Sequence, residues 1–191
     1  MLTGDHNVDS LQYHLAQTLK TQRSARGWSL TQAADATGVS KAMLGQIERA
    51  ESSPTVATLW KIATGFNLPF SAFIDPPAID SAARHQRQQG YTAFDSTMQV
   101  FPLFPFDAAL NFEMLVIELA AGASSASDAH ERGVVEHVIV IEGELELQVD
   151  GQWQRLNAGD GVRFHADCAH AYRNPGTEPV RFHDLIHYPQ R

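Results

Sequence analysis

Residues 29–49 read Ser29-Leu-Thr-Gln-Ala-Ala-Asp-Ala-Thr-Gly-Val-Ser-Lys-Ala-Met-Leu-Gly-Gln-Ile-Glu-Arg49, and their spacing predicts two short helices joined by a tight turn. Ser29 stands three residues before Gln32, the capping-box spacing in which each side chain meets a backbone N–H left open at a helix start. Leu30, Ala33, Ala34 and Thr37 recur on one face at helical period. Gly38 suits the left-handed conformation that ends a helix. Ser40 is the expected N-cap of the second helix, with Val39 and Leu44 at the two ends of a hydrophobic staple. Leu44 and Ile47 continue the inward stripe, which leaves Lys41, Ala42, Gly45, Gln46 and Arg49 outward. A DNA major groove admits such a face, because glutamine reads an adenine edge while lysine and arginine reach guanine or phosphate. An ordinary helical hairpin shares the periodicity, but caps, turn glycine and staple agree on the groove-entering motif.

Working outward, Val8 to Arg26 reads as a first helix that buries Leu11, Leu15, Ala16 and Leu19. Lys20, Arg23 and Arg26 fall near its C-terminal end, where they suit the helix dipole and equally a DNA backbone. After the central pair, Ser52-Ser53-Pro54-Thr55 turns into a helix with Val56, Leu59, Ile62, Ala63 and Phe66 inside. Leu68-Pro69 stops it, and Phe70 to Ile74 reads as a short closing helix, the fifth.

This half resembles the lambda-repressor-like (Xre-type) helix-turn-helix family from about Leu11 to Ile74. The matching pieces are Leu-Thr-Gln at 30–32, Gly-Val-Ser at 38–40, Ile-Glu at 47–48 and Leu-Trp-Lys-Ile-Ala at 59–63. The resemblance implies a DNA-contacting set of Gln32, Ser40, Lys41, Ala42, Gly45, Gln46 and Arg49, with Gln32 against the backbone and Lys41, Ala42, Gly45 and Gln46 reading bases. Ala50-Glu51 departs from the Asn-Gly or similar turn pair usual there.

The chain of 191 residues is long enough for two small cores, and its apolar share of 43% is that of a globular protein. No apolar run approaches a membrane span, and the N-terminus lacks a signal-peptide pattern. Cys168, the single cysteine, excludes an internal disulfide framework, so a cytoplasmic setting is expected. The net charge of −8 is unevenly placed: six basic and six acidic residues lie up to Asp75, and eight and sixteen beyond it. The front half is therefore neutral, and dimerisation is expected to supplement its modest attraction to phosphate.

Asp75-Pro76-Pro77 marks a boundary, because paired prolines do not continue a helix. The expected layout is a reading head at 8–75, a polar linker at 76–97 and a second domain at 98–191. Beyond Met98, short apolar runs alternate with turns: Gln99–Pro105, Asn111–Leu119, Val134–Ile141, Leu145–Val149, Gly161–Phe164 and Val180–His187. Glu142-Gly143 and Asp150-Gly151 read as hairpin breaks, and the pattern argues for an antiparallel sandwich or barrel.

Two clusters follow: His130-Glu-Arg-Gly-Val-Val-Glu136 before Gly143, and Gly159-Asp160 with His165-Ala-Asp-Cys-Ala-His170 and Asn174. They resemble the two cupin motifs, covering about residues 98–189. The resemblance implies a double-stranded β-helix barrel, with His130, Glu136 and His170 as metal ligands. Arg132 stands where the family has a second histidine, and His165 and Asp167 where proline and glycine are usual. Two imidazoles and a carboxylate suffice for one divalent metal (Zn, Fe, Mn or Ni) with open positions. Arginine stays protonated and is no ligand, but it can fork onto an anionic small molecule. Three readings stay open: a metal site completed by an effector, a metal-free anion site of His130, Arg132 and His170, and polar residues paired internally. Tyr172 shares a strand face with His170 and is a candidate ligand contact, whereas His137 points opposite to Glu136.

The expectation is thus an α+β multidomain chain: an all-α five-helix helix-turn-helix domain followed by an all-β cupin barrel. Its partners would be a double-stranded DNA operator, a second copy of itself and a small-molecule effector, amino-acid-like or otherwise anionic, with no membrane. The alternative is a cupin oxygenase or isomerase carrying a DNA-binding head, since one fold hosts many activities.

Overall fold

A computed structural model describes residues 5–74, 91–92 and 97–189. The chain divides into two compact units, Met1–Pro76 and Pro77–Arg191. The Asp75-Pro76-Pro77 boundary and most of the polar linker lie outside the described residues.

The first unit packs α1 (Asp5–Ala25), α2 (Leu30–Thr37), α3 (Lys41–Glu48) and α4 (Val56–Gly65). Four α-helices are described, not five, because Phe70–Phe73 is a 3-10 turn held by i→i+3 bonds from Ala72 and Ile74. Pro69 fixes its start and Pro76-Pro77 follow closely, which leaves no length for an α-helix. The caps are those the spacing requires. Ser29 Oγ accepts from the Gln32 N–H at 3.2 Å, and Gln32 Oε1 from the Ser29 N–H at 2.8 Å. Gly38 sits at φ 67° past α2, Ser40 Oγ caps α3 through the Met43 N–H, and Thr55 caps α4. Leu15, Leu19, Leu44, Ile47, Leu59, Ile62, Phe66, Phe70 and Phe73 form the buried core. At Gly65 a Cβ would lie 2.6 Å from the Ala36 carbonyl oxygen, so α4 reaches the end of α2 only because that position has no side chain.

The second unit has ten described strands: β1 (Tyr91–Thr92), β2 (Met98–Asp107), β3 (Phe112–Leu119), β4 (Ser124–Ser127), β5 (Val135–Glu142), β6 (Glu144–Val149), β7 (Gln152–Asn157), β8 (Gly161–His165), β9 (His170–Arg173) and β10 (Val180–His187). They form two antiparallel sheets, ordered β1-β2-β3-β10-β5-β8 and β4-β9-β6-β7. Tyr91 and Thr92, within the stretch read as linker, pair with Val100 and Gln99 of β2. Pro102 and Pro105 sit where β2 shifts register against β3, as residues without an N–H must. Asp150 and Gly151, both at positive φ (48° and 77°), turn β6 into β7. Alternate residues turn inward: Leu115, Ile117 and Leu119 on β3, Val138 and Val140 on β5, Phe182 and Ile186 on β10. No described helix is long and apolar enough to cross a membrane.

Candidate functional site

The α3 flank is built by the burial of its other side. Leu44 and Ile47 are buried, while Lys41, Ala42, Met43, Gln46 and Arg49 are exposed. Gly45 departs from the expected outward set: it is buried, and a Cβ there would meet Arg49 Nη1 at 3.2 Å and Leu30 Cδ1 at 3.6 Å. It is a packing residue between α3 and α2. Met43, 39% exposed, takes a place on the open flank that the sequence reading missed. The signal was available, since Met43 lies one residue from Ala42 and three from Gln46. Gln32 and Ser40 are exposed, and the side-chain oxygens of both serve as caps.

Of Lys20, Arg23 and Arg26, the two arginines are committed internally. Arg23 forks onto Glu48 at the end of α3, with Nε–Oε1 2.5 Å and Nη2–Oε2 2.9 Å, and donates to the Trp28 carbonyl at 2.8 Å. That fork ties the C-terminal end of α3 to α1, and the Glu48 hydrogen bond raises the Arg23 pKa. Arg26 donates to the Phe66 and Gln22 carbonyls and lies over the Trp28 and Phe66 rings. Arg49 is exposed but forked by Glu51 at 2.8 and 2.6 Å, which lowers the Glu51 pKa.

In the second unit each sheet brings its own ligands to a shared interior. Glu136 projects inward from β5, and His170 opens β9 on the opposite sheet. His130 is held at the loop before β5, its N–H donating to the Ala166 carbonyl at 2.9 Å. His130 Nε2 lies 3.0 Å and His170 Nε2 3.6 Å from Glu136 Oε1, and the three ligand atoms fall within 4.8 Å of one another. His170 Nδ1 is 3.0 Å from the Cys168 carbonyl oxygen, so it carries the proton and leaves Nε2 as the ligating nitrogen. Tyr172 Oη donates to Glu136 Oε2 at 2.7 Å, which leaves Oε1 toward the histidines. The donor set therefore fits a divalent metal with three protein ligands and open positions.

Electrostatics agree with that fit. Burial pushes the Glu136 carboxyl up, but the His130 hydrogen bond, both imidazoles and the Tyr172 hydroxyl outweigh it and hold the group below its usual value. Burial, with the charges of Asp184 and Glu136, keeps Tyr172 a phenol, well above its ordinary value. Burial and the neighbouring Glu136 and Glu113 push Asp184 well above the carboxylate range.

Arg132 does not join this cluster. It is exposed, and the buried polar residues described in this unit are Glu113, Glu136, His170, Asn174 and Asp184, with no arginine or lysine among them. The chain at His130 turns in toward Ala166, whereas Arg132 lies in the turn that precedes β5. Asn174 is structural: its amide donates to the Leu119, Ala120 and Glu178 carbonyls. Asp184 and Glu113 were missed, although an acid at an inward position of an otherwise apolar alternation is visible in each strand.

The helix-turn-helix family (HTH_3) matches residues 19–73 and the cupin domain family (Cupin_2) residues 115–186. The chain is 57% identical to the HTH-type transcriptional regulator SutR of Escherichia coli over 183 residues, 96% of this chain and 99% of that protein. It belongs to the Xre-type helix-turn-helix transcriptional regulators that carry a cupin domain. A crystal structure of an HTH_3 family transcriptional regulator from Vibrio cholerae aligns with a TM-score of 0.81 at 40% identity, covering 95% of this chain and 99% of that one. The Cupin_2 domain of an XRE family transcriptional regulator from Enterobacter cloacae is 55% identical over 49% of this chain and 99% of its own, with a TM-score of 0.49. As a member of this family, the chain is a DNA-binding transcriptional regulator.

Proposed function

We propose that this regulator is a cytoplasmic homodimer whose α3 flank reads a palindromic operator, and whose cupin interior binds one divalent metal and a small-molecule effector that alters operator binding. The head is taken as residues 8–75, the connector as 76–97 and the sensor as 98–191, with its sheet reaching back to Tyr91. Lys41, Ala42, Met43 and Gln46 face bases in this reading. Gln32, Ser40 and Arg49 contact the backbone from the flanks. Two heads bind half-sites about one helical turn, ~34 Å, apart.

The observation that carries the sensor half is the convergence of His130, Glu136 and His170 on one interior point. These three residues would hold the metal, which would supply a Lewis-acid point for a donor atom of the effector. Tyr172 orients Glu136, and the Cys168 carbonyl orients His170. Regulation requires that the effector prefer one arrangement of the dimer over another, because equal affinity shifts nothing. The sensor reading is preferred over a cupin enzyme because the full-length relatives are named regulators.

The test is operator affinity measured with metal-loaded and chelator-treated protein, alongside His170→Ala. Metal removal and His170→Ala should change operator affinity, or its response to metabolites, in the same direction. Identical binding curves in all three, at full metal loading of the wild type, would refute the coupling.

A further inference from the structure

Asp184 is not used by the metal trio. It lies on β10 between the inward residues Phe182 and Ile186 and is 2% exposed. Its Oδ1 is buried and has no hydrogen-bond partner among the described residues. Glu113 and Glu136 both sit opposite Ile186, on the strands flanking β10, so Asp184 is diagonal to each on the same inner face. Their carboxylates are met: Glu113 by the Tyr188 hydroxyl, Glu136 by His130 and Tyr172. A buried oxygen left open in a polar interior is costly, and such groups persist where something else completes them.

We infer that Asp184 is the side chain that contacts the effector, and that the effector presents an amine to it. Three carboxyl groups share this part of the interior, and among the described residues no lysine or arginine is buried with them. A carboxylate has no proton to donate to Asp184 Oδ1, whereas an amine supplies the donor that this oxygen lacks. The inference rests on the reading of the cupin interior as an effector site and names its chemistry. It also replaces the anionic effector that Arg132 suggested, since Arg132 is exposed.

The test uses full-length protein, zinc-loaded and metal-free, in thermal-shift titrations with linear amines, alcohols and carboxylates of matched chain length. Amines should raise the Tm of the wild type more than the matched alcohols and carboxylates do. Asp184→Asn should melt at or above the wild-type Tm without ligand, and should weaken the amine response by roughly 10- to 100-fold. Carboxylates that bind as well as amines would overturn the inference and leave the effector site standing. An amine response undiminished in Asp184→Asn would do the same. No response to any compound would overturn both. The head-group comparison in the wild type decides the matter even if the variant does not fold.

Discussion

Ala50 holds φ at 55°, a left-handed conformation in which its Cβ crowds the following carbonyl. It follows α3 in a closed C-cap: its N–H donates to the Ile47 carbonyl and the Glu51 N–H to that of Gln46, both at 2.9 Å. α4 ends the same way with Asn67 at φ 50°, a residue better suited to the position. Ala50→Gly should therefore stabilise the head by roughly 0.5–1 kcal/mol, read from urea unfolding, and an unchanged or lower midpoint would contradict this. The departure at Ala50-Glu51 was legible in the sequence, and the left-handed backbone supplies its meaning. Gly45 and Met43 were not assigned correctly, because eight residues of helix fix the phase of a face only to within one position. Arg132, which is exposed, shows another limit: motif spacing places a residue along the chain, but not the direction of its side chain in a turn.

At the scale of elements, the fork from Arg23 to Glu48 orients the reading helix. Glu48 is 8% exposed and Arg23 18%, so removing the cation strands a largely buried carboxylate. Arg23→Ala should cost about 2 kcal/mol of stability and weaken operator binding beyond that loss, measured as denaturant midpoint and operator Kd. Arg23→Ala with normal stability and affinity would remove the fork from the account. Gly65→Ala has no room against the Ala36 and Thr37 backbone and should destabilise by about 1–3 kcal/mol, despite alanine's higher helix propensity. The strands that the sequence revealed are those with a strong apolar alternation: β2, β3, β5, β6, β8 and β10. The others gave a weaker signal for physical reasons. β4 is Ser-Ser-Ala-Ser, β7 shows only Leu156 buried at the sheet edge, and β9 has four residues whose inward pair, His170 and Tyr172, is polar-tipped. The convergence of His130, Glu136 and His170 was legible even so, because it was read from motif spacing and not from strand texture.

For the whole molecule, the buried acids make stability depend on pH. Asp184 stays protonated in the folded chain well above its usual range, so between the ordinary carboxyl value, ~3.9, and its folded value the unfolded state binds fewer protons. Stability from this group therefore falls as pH rises through that window. Glu136 is held low and acts oppositely, but only below the ordinary range, where its contribution is lost as pH falls. His183 and His187, lowered by burial, lose stability as pH drops below the ordinary imidazole value. Subtracting the Asp184→Asn profile isolates the first effect: the metal-free wild type should lose stability relative to the variant as pH rises above the ordinary carboxyl range. A flat difference would mean that Asp184 titrates normally. The net charge divides between the halves in the same sense, with a neutral DNA-binding half and an acidic cupin half.

In the proposed function, the exposed flank of α3 reads bases in two heads at once. Selection of bound duplexes from a random pool, by wild type and by Gln46→Ala, tests it most directly. Expected are a palindrome with half-sites about 10 base pairs apart and, for Gln46→Ala, a loss of roughly 1–3 kcal/mol of discrimination at one position in each half-site. An identical motif from both proteins, or a motif without two-fold symmetry, would contradict it.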